Sequence, residues 1–359
     1  MLLTSPQLPW ILSFTTAVMF YIAYKNLIRG TKNQLLAKLR SLLILASLCL
    51  LVVVTAGVFL NNYGQFYTSW SELIGRRQAA PLVVDQAGST ITKSDIDKAK
   101  ITKGGSAIFH RTIRGPLSSI TSDIYISVPP TFISALRAGQ IPKNDYSIVE
   151  FLPGFPGHAS AWINGLGIVD QLDKANAENR FKEIIGIFPQ INITPKFDAE
   201  CMNIPGGQQT ETWITSDVIN YSNLWLAQNP KPITIVGYST GGWCATMLAF
   251  RNPDKYSAAA SIAGYYKPIL DRKLSKEVEV QLSNEYDLSK ILLEKKPRVS
   301  IFVVDSINDP ESSKSTTQFL KSLPNEVALK EIILKGSGHN FSAWKQAISP
   351  LIDWLSGVI

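Results

Sequence analysis

Two stretches near the N-terminus carry no acidic residue and almost no basic one, and from about Ser106 short apolar runs alternate with longer amphipathic ones. Ser41 to Leu60, SLLILASLCLLVVVTAGVFL, holds twenty residues without a charge. At about 1.5 Å per residue that spans a hydrocarbon core about 30 Å thick. Leu8 to Ile28 is less apolar, with Ser13, Thr15 and Thr16 inside it and Lys25 near one end, where a long stem reaches the interface. Trp10, Tyr21 and Tyr24 sit near its ends, the usual place of interfacial aromatics. MLLTSPQLPW has no basic residue, unlike the n-region of a secretory signal. A membrane anchor is therefore expected over 1–75, with transmembrane helices at about 8–28 and 41–60. Tyr63, Phe66, Tyr67 and Trp70 follow as a second aromatic belt. Residues 76–105 are polar and poorly periodic and read as a linker.

The remaining block, 106–359, has the alternation of a mostly parallel α/β sheet. Strands are expected at Ile124–Val128, Ser147–Leu152, Ile184–Phe188, Ile233–Val236, Ala258–Ile262, Val299–Val304 and Leu329–Leu334. Helices fit near 160–174, 212–227, 240–251, 312–322 and 341–356. In such sheets the chemistry sits beyond the carboxyl ends of the strands.

Charge changes the picture less than it first suggests. The chain has 35 Lys and Arg against 28 Asp and Glu, a basic balance that invites a nucleic-acid partner. Lys25, Arg29, Lys32, Lys38 and Arg40 lie between the two apolar stretches with no acid among them. Without those five, 30 basic residues face 28 acidic ones, so no nucleic-acid surface is indicated. The same five fix an orientation, because positive charge beside spans stays in the cytoplasm. The block after Tyr63 is then extracytoplasmic, in a multi-pass protein of the cell membrane whose first partner is the lipid bilayer.

After Ile233–Val236 comes Gly237-Tyr238-Ser239-Thr240-Gly241-Gly242, then WCATMLAFRNP. This is G-x-S-x-G between a strand and a helix, a nucleophile elbow in which Gly237 and Gly241 leave room for the turn that presents the serine. Of three histidines, His110, His158 and His339, only His339 follows Ser239, as the order serine, acid, histidine requires. It stands in GSGHNF, past the last strand. The acid should follow the strand Val299–Val304, where Asp305, Asp309 and Glu311 compete. Asp309 has the reach and Pro310 stiffens its loop, so it is favoured. Asp305 reads as a strand-end residue bonding its own backbone, and Glu311 stays open. The oxyanion donors are expected at the Thr240 amide and, in LPGFPGH at 152–158, at the Phe155 amide. His158 reads as a pocket-wall or surface residue, and Asp198 and Glu200 as loop acids.

With Cys49 in the second apolar stretch, Cys201 and Cys244 remain in a compartment where disulfides persist. Cys244 opens the helix after the nucleophile and Cys201 lies in a loop expected to pass nearby, so the two are expected to pair. No Cys/His spacing suits a metal, no phosphate or dinucleotide fingerprint is present, and no cofactor is implied.

IYISVPPTF at 124–132, VEFLPGFPG at 149–157, VGYSTGGWCATMLAFRNPDKYSAAASIAGYY at 236–266, FVVDSINDPES at 302–312 and SGHNFSAWKQAISPLIDWL at 337–355 together resemble the esterase D-like ("putative esterase") branch of the α/β-hydrolase superfamily. That branch includes the mycolyltransferases of actinobacterial envelopes. FDAECMNIPGG, ETWITSDV and Gly242-Trp243-Cys244 are similar to its membrane-anchored actinobacterial members. One departure is Pro153-Gly154, where the family has His-Gly or Asp-Gly before the oxyanion donor. The resemblance implies an α/β-hydrolase fold and ester or thioester chemistry through an acyl-enzyme, on a small-molecule, lipid or glycolipid acyl ester. Hydrolysis and acyl transfer to an envelope acceptor both stay open. Two other readings compete: a serine peptidase of the prolyl-oligopeptidase type, disfavoured by the lack of a large all-β region, and a hydrolase-like binding module without catalysis.

Overall fold

In the computed structural model the described residues are 1–359 without 1–2, 4, 6, 29–33, 65–69, 74–89, 143–144, 181–182, 195–196, 230, 272 and 336–337. The chain divides into two compact units, Met1–Gln78 and Ala79–Ile359.

The first unit holds the helices Gln7–Ile28 and Gln34–Gly64. Within the second, Leu35–Asn62 is long and apolar enough to cross a membrane, with a mean hydropathy of 2.8, and it is the one helix that meets that test among the described residues. Gln7–Ile28 is a continuous helix but more polar. The two helices touch through Leu8 and Val58 and through a hydroxyl pair, Thr16 to Thr55 at 3.0 Å. Asn26 Nδ2 also donates to Ser41 Oγ at 2.8 Å. Arg29, Lys32, Phe66, Tyr67 and the side chain of Tyr63 lie outside the described residues.

The second unit is built on one nine-stranded sheet: β1 (Lys100–Ile101), β2 (Ala107–Arg114), β3 (Thr121–Val128), β4 (Ser147–Leu152), β5 (Ile184–Pro189), β6 (Ile233–Tyr238), β7 (Tyr256–Ile262), β8 (Ser300–Ser306) and β9 (Leu329–Leu334). Their order is β1-β2-β3-β5-β4-β6-β7-β8-β9. The first three pair antiparallel and β3 meets β5 antiparallel; from β5 to β9 every pairing is parallel. All seven expected strands are present. No all-β propeller-like region occurs among the described residues. The expected linker needs correction at its far end. Residues Lys93–Lys98 form a helix whose Thr92 and Asp95 close a capping box, and Lys100–Ile101 joins the sheet. Polar composition hid these elements because β1 is an exposed edge of two residues.

Residues alternating along the strands face two separate cores, which is why the central strands read as unbroken apolar runs. Ile185, Ile187, Ile235, Ile301 and Val303 pack on one face with Trp243 and Phe250 of the helix Thr240–Arg251. Phe188, Val236, Phe302 and Val304 pack on the other with Leu172 and with Trp344, Leu351 and Leu355 of the helix Phe341–Val358. The helix expected at 160–174 is instead a wide π-turn, Ala161–Gly165, followed by the helix Ile168–Ala177; Gly167, at φ 67°, makes the break.

Candidate active site

The residues expected to carry chemistry lie at strand-to-helix junctions beyond the carboxyl ends of β6, β8 and β9. Ser239 is the residue between β6 and the helix Thr240–Arg251, with φ 55° and ψ −126°. That left-handed conformation costs a non-glycine residue about 1–3 kcal/mol. It persists because the surroundings fix it: the Ser239 amide donates to Ile262 O at the end of β7, and its carbonyl accepts from the Gly242 amide at 2.8 Å. Two glycines permit the turn. A Cβ on Gly237 would sit 1.9 Å from Gly241 O, and one on Gly241 would sit 2.3 Å from Leu152 O.

His339 precedes Asn340, which caps the helix Phe341–Val358 by accepting from the Ala343 amide. Its ring stands edge-on to Trp344, which stacks on Tyr238. Ser239 Oγ lies 2.8 Å from His339 Nε2, and His339 Nδ1 lies 2.6 Å from Asp309 Oδ2. Asp309 is buried and caps the helix Pro310–Ser322, its Oδ1 accepting from the Ser312 amide at 3.4 Å. Of the three competing acids, Asp309 is the one bonded to His339. Asp305 is next to last in β8, its Oδ1 accepting from the Ser306 amide at 2.7 Å, and burial raises its pKa. Glu311 lines the cleft but is exposed.

The loop after β4 closes over the serine. A Cβ built on Gly154 would come within 3.0 Å of Ser239 Cβ, so this backbone runs against the elbow. Phe155 precedes a cis proline and lines the same cleft as Thr240. Neither the Phe155 nor the Thr240 amide is engaged in a hydrogen bond among the described residues. Asn192 was not singled out from the sequence, yet its Nδ2 donates to Gly154 O at 3.0 Å and Gly157 O at 2.6 Å, pinning this loop. A lone Asn after a strand carries no sequence signal for that role. His158 lies outside the cleft lining and bonds Ser160 Oγ at 3.1 Å.

The cleft has a volume of about 1250 Å³ and reaches from Ser239 and His339 along the segment after β7. Its wall holds Asp198 and Glu200, which lie in a loop as expected, the first half-buried and the second buried. Glu200 is 2% exposed, and the Tyr265 hydroxyl donates to its Oε1 at 2.6 Å. Burial, aided by the Asp198 charge, pushes Glu200 up to about 8. Burial, with repulsion from Asp271, pushes Asp198 up to about 6. Cys201 and Cys244 form a disulfide that fastens this loop to the helix after the serine. Among the described residues no three His, Cys, Asp or Glu side chains gather as a metal cluster.

Comparison with known proteins agrees with the fold. The model of the family described as "Putative esterase" matches residues 137–352. An uncharacterized protein of Corynebacterium glutamicum is 21% identical over 342 residues, covering 88% of this chain and 76% of its own. Among solved structures, a ferulic acid esterase superposes with a TM-score of 0.60 at 18% identity, covering 71% of this chain and 98% of its own. The S-formylglutathione hydrolase of Staphylococcus aureus does so with a TM-score of 0.54 at 16% identity, covering 70% and 99%. At these identities the structural likeness establishes an α/β-hydrolase fold.

Proposed function

The chain belongs to the Putative esterase family and by that membership is a carboxylic ester hydrolase; on that premise we propose that it works through Ser239, His339 and Asp309 as a membrane-anchored, extracytoplasmic serine hydrolase. The observation that carries this reading is the continuous path from Ser239 Oγ through His339 to Asp309, with contacts of 2.8 and 2.6 Å at a strained serine.

In this reading Nδ1–H of His339 donates to Asp309, which leaves Nε2 free to accept the serine proton. Ser239 Oγ attacks the carbonyl carbon of an ester or thioester while its proton passes to Nε2. The negative charge moves to the carbonyl oxygen, where the Thr240 and Phe155 amides receive it. As the bond to the alcohol or thiol breaks, His339 returns its proton to that leaving group. Water, or an acceptor alcohol held in the same cleft, then gives a proton to His339 as it attacks the acyl-serine, and His339 passes that proton to Ser239 Oγ as the acyl–Oγ bond breaks. The first acceptor yields hydrolysis and the second acyl transfer.

The anchor belongs to the proposal as two spans, 8–28 and 41–60, with the basic segment between them in the cytoplasm and the hydrolase unit on the other side. Leu35–Asn62 supports one span by length and composition, and the continuous helix Gln7–Ile28 supports the other.

A fluorophosphonate probe applied to the full-length chain in detergent tests the mechanism. Labelling and hydrolysis of short acyl esters are both expected, and both should vanish in Ser239→Ala. Unchanged turnover in that variant would refute the serine mechanism.

A further inference from the structure

The peptide between Gly154 and Phe155 is trans, and in a trans peptide the N–H and the C=O point in opposite directions. Whatever holds Gly154 O on one side therefore aims the Phe155 N–H at the other. Two donors hold that oxygen: the Gly157 amide at 2.8 Å, which closes a tight turn, and Asn192 Nδ2 at 3.0 Å. Asn192 Nδ2 also donates to Gly157 O at 2.6 Å, so one side-chain amide fastens both ends of the turn to the segment after β5. The pair fixes how the amide faces, because the opposite flip would set Oδ1 against two carbonyl oxygens. Asn192 is itself held. Gln190 Nε2 donates to Asn192 O at 3.1 Å, Gln190 Oε1 accepts from the Ala159 amide at 2.8 Å, and Trp213 Nε1 donates to Gln190 O at 3.0 Å.

We propose that Asn192 is the positioning residue of the oxyanion site: by holding Gly154 O it aims the Phe155 amide at the oxygen that becomes negative when Ser239 attacks. The proposal rests on the hydrolase reading of this cleft and adds a residue to it. The Gly154 end of the peptide lies against the serine, where a Cβ would come within 3.0 Å of Ser239 Cβ. Phe155 lines the cleft with Ser239 and Thr240, whereas Asn192 is not part of its lining. Asn192 therefore acts through the peptide and does not touch the ester. The turn alone cannot do the same. The Gly157 amide moves with the turn, so it orients the carbonyl within the turn but not relative to Ser239. Asn192 belongs to a different segment, fixed through Gln190 and Trp213, and supplies that outside reference. Donors on a carbonyl oxygen also polarise the N–H of the same peptide and strengthen the bond it gives. An oxyanion donor has its full effect only when its aim is set before the charge appears.

The test uses the full-length chain in detergent, a short aliphatic ester and two ketones of the same chain length. With a trifluoromethyl ketone, Ser239 Oγ adds to the carbonyl carbon, its proton passes to His339, and the carbonyl oxygen becomes an anion in the oxyanion site. The methyl ketone binds without adding. In Asn192→Ala, kcat/KM for the ester should fall about tenfold to a hundredfold, at or below the roughly 10²–10³ lost with a whole donor. The Ki of the trifluoromethyl ketone should rise by the same factor, while that of the methyl ketone moves less than about twofold, because only transition-state contacts are altered. Asn192→Asp keeps the side chain's shape and loses its N–H₂; it should follow Asn192→Ala, and it decides the matter if the alanine variant fails to fold. Unchanged kcat/KM and unchanged trifluoromethyl ketone binding in either folded variant overturn the proposal. An equal rise in the Ki of both ketones also overturns it, since a loop that merely shapes the cleft would give that result. A wild-type chain that turns over no ester and binds the two ketones alike is a separate result: it overturns the hydrolase reading, and the role of Asn192 with it.

Discussion

Replacing Asp309 by Asn separates the acid bonded to His339 from the two beside it. Asp309 Oδ2 sits 2.6 Å from His339 Nδ1 in a place where its side chain is 9% exposed. As the serine proton reaches Nε2, the ring becomes a cation next to this carboxylate. For unit charges about 4 Å apart at an effective dielectric of 20, the attraction is about 4 kcal/mol. Asn removes it, a loss of about 10³ in rate. Asn also offers an N–H₂ toward Nδ1, which favours the tautomer with the proton on Nε2, where it blocks the serine. The same substitution in the protease triad costs about 10⁴. A fall of 10³ to 10⁴ in kcat/KM for a neutral short-chain ester is therefore expected, with the fold intact because Asn still caps the helix Pro310–Ser322. The assay is initial rates over substrate concentration for Asp309→Asn, Asp305→Asn and Glu311→Gln side by side. Asp305 and Glu311 should each lose only a few-fold. A loss below tenfold for Asp309→Asn, or a larger loss for Asp305→Asn, would refute the assignment.

Three further outcomes are expected. Glu150 is fully buried in β4 with one oxygen on the Tyr256 hydroxyl at 2.9 Å, and burial pushes it up to about 8. Its folded value exceeds its unfolded one, so its contribution to stability is full below about pH 4.5 and is lost as pH rises through 8; Tm against pH should fall across that window, and Glu150→Gln should flatten the slope. The bond between Cys201 and Cys244 closes a loop with a sequence separation of 43 residues, for which chain entropy gives about 4 kcal/mol. Cys201→Ser together with Cys244→Ser should lower Tm accordingly, and an unchanged melting curve would remove the bond's stabilising role. Reporter fusions at Gly64 and after Ile359 should be active as extracytoplasmic reporters, and cytoplasmic activity at both would reverse the orientation.

The strands that sequence made legible are those buried on both faces, because unbroken apolar runs such as ITIV at 233–236 survive any reading frame. β2 was missed because AIFHRTIR interleaves His110 and Arg111 with its apolar residues, and both are only partly buried. The helices Pro130–Arg137, Lys276–Glu285 and Leu288–Lys295 were missed for a related reason: each is short and buries one to three residues. Their existence depends on the core their few buried residues join, which local pattern does not contain. That Asp309 would lie beside His339 was legible from local features, its reach past β8 and the following proline, and that Ser239 and His339 would meet was legible from the glycines of the first and the scarcity and position of the second.

Asp198 and Glu200 had no such signal. An acid in a loop is usually solvated, and nothing within a few residues of FDAEC says otherwise. What buries Glu200 comes from far along the chain: Tyr265 after β7, Trp243 in the helix behind the serine, and the bond from Cys201 to Cys244. The pairing of the cysteines was inferred from compartment and position, and it implies more than that inference used. A bond between Cys201 and the helix after Ser239 draws the preceding two acids against Thr240. The disulfide and the acidic wall are thus one constraint: releasing the loop from Cys244 should return Asp198 and Glu200 to solvent and lower their raised titrations toward the ordinary carboxyl range, and titrations unchanged on reduction would refute the link.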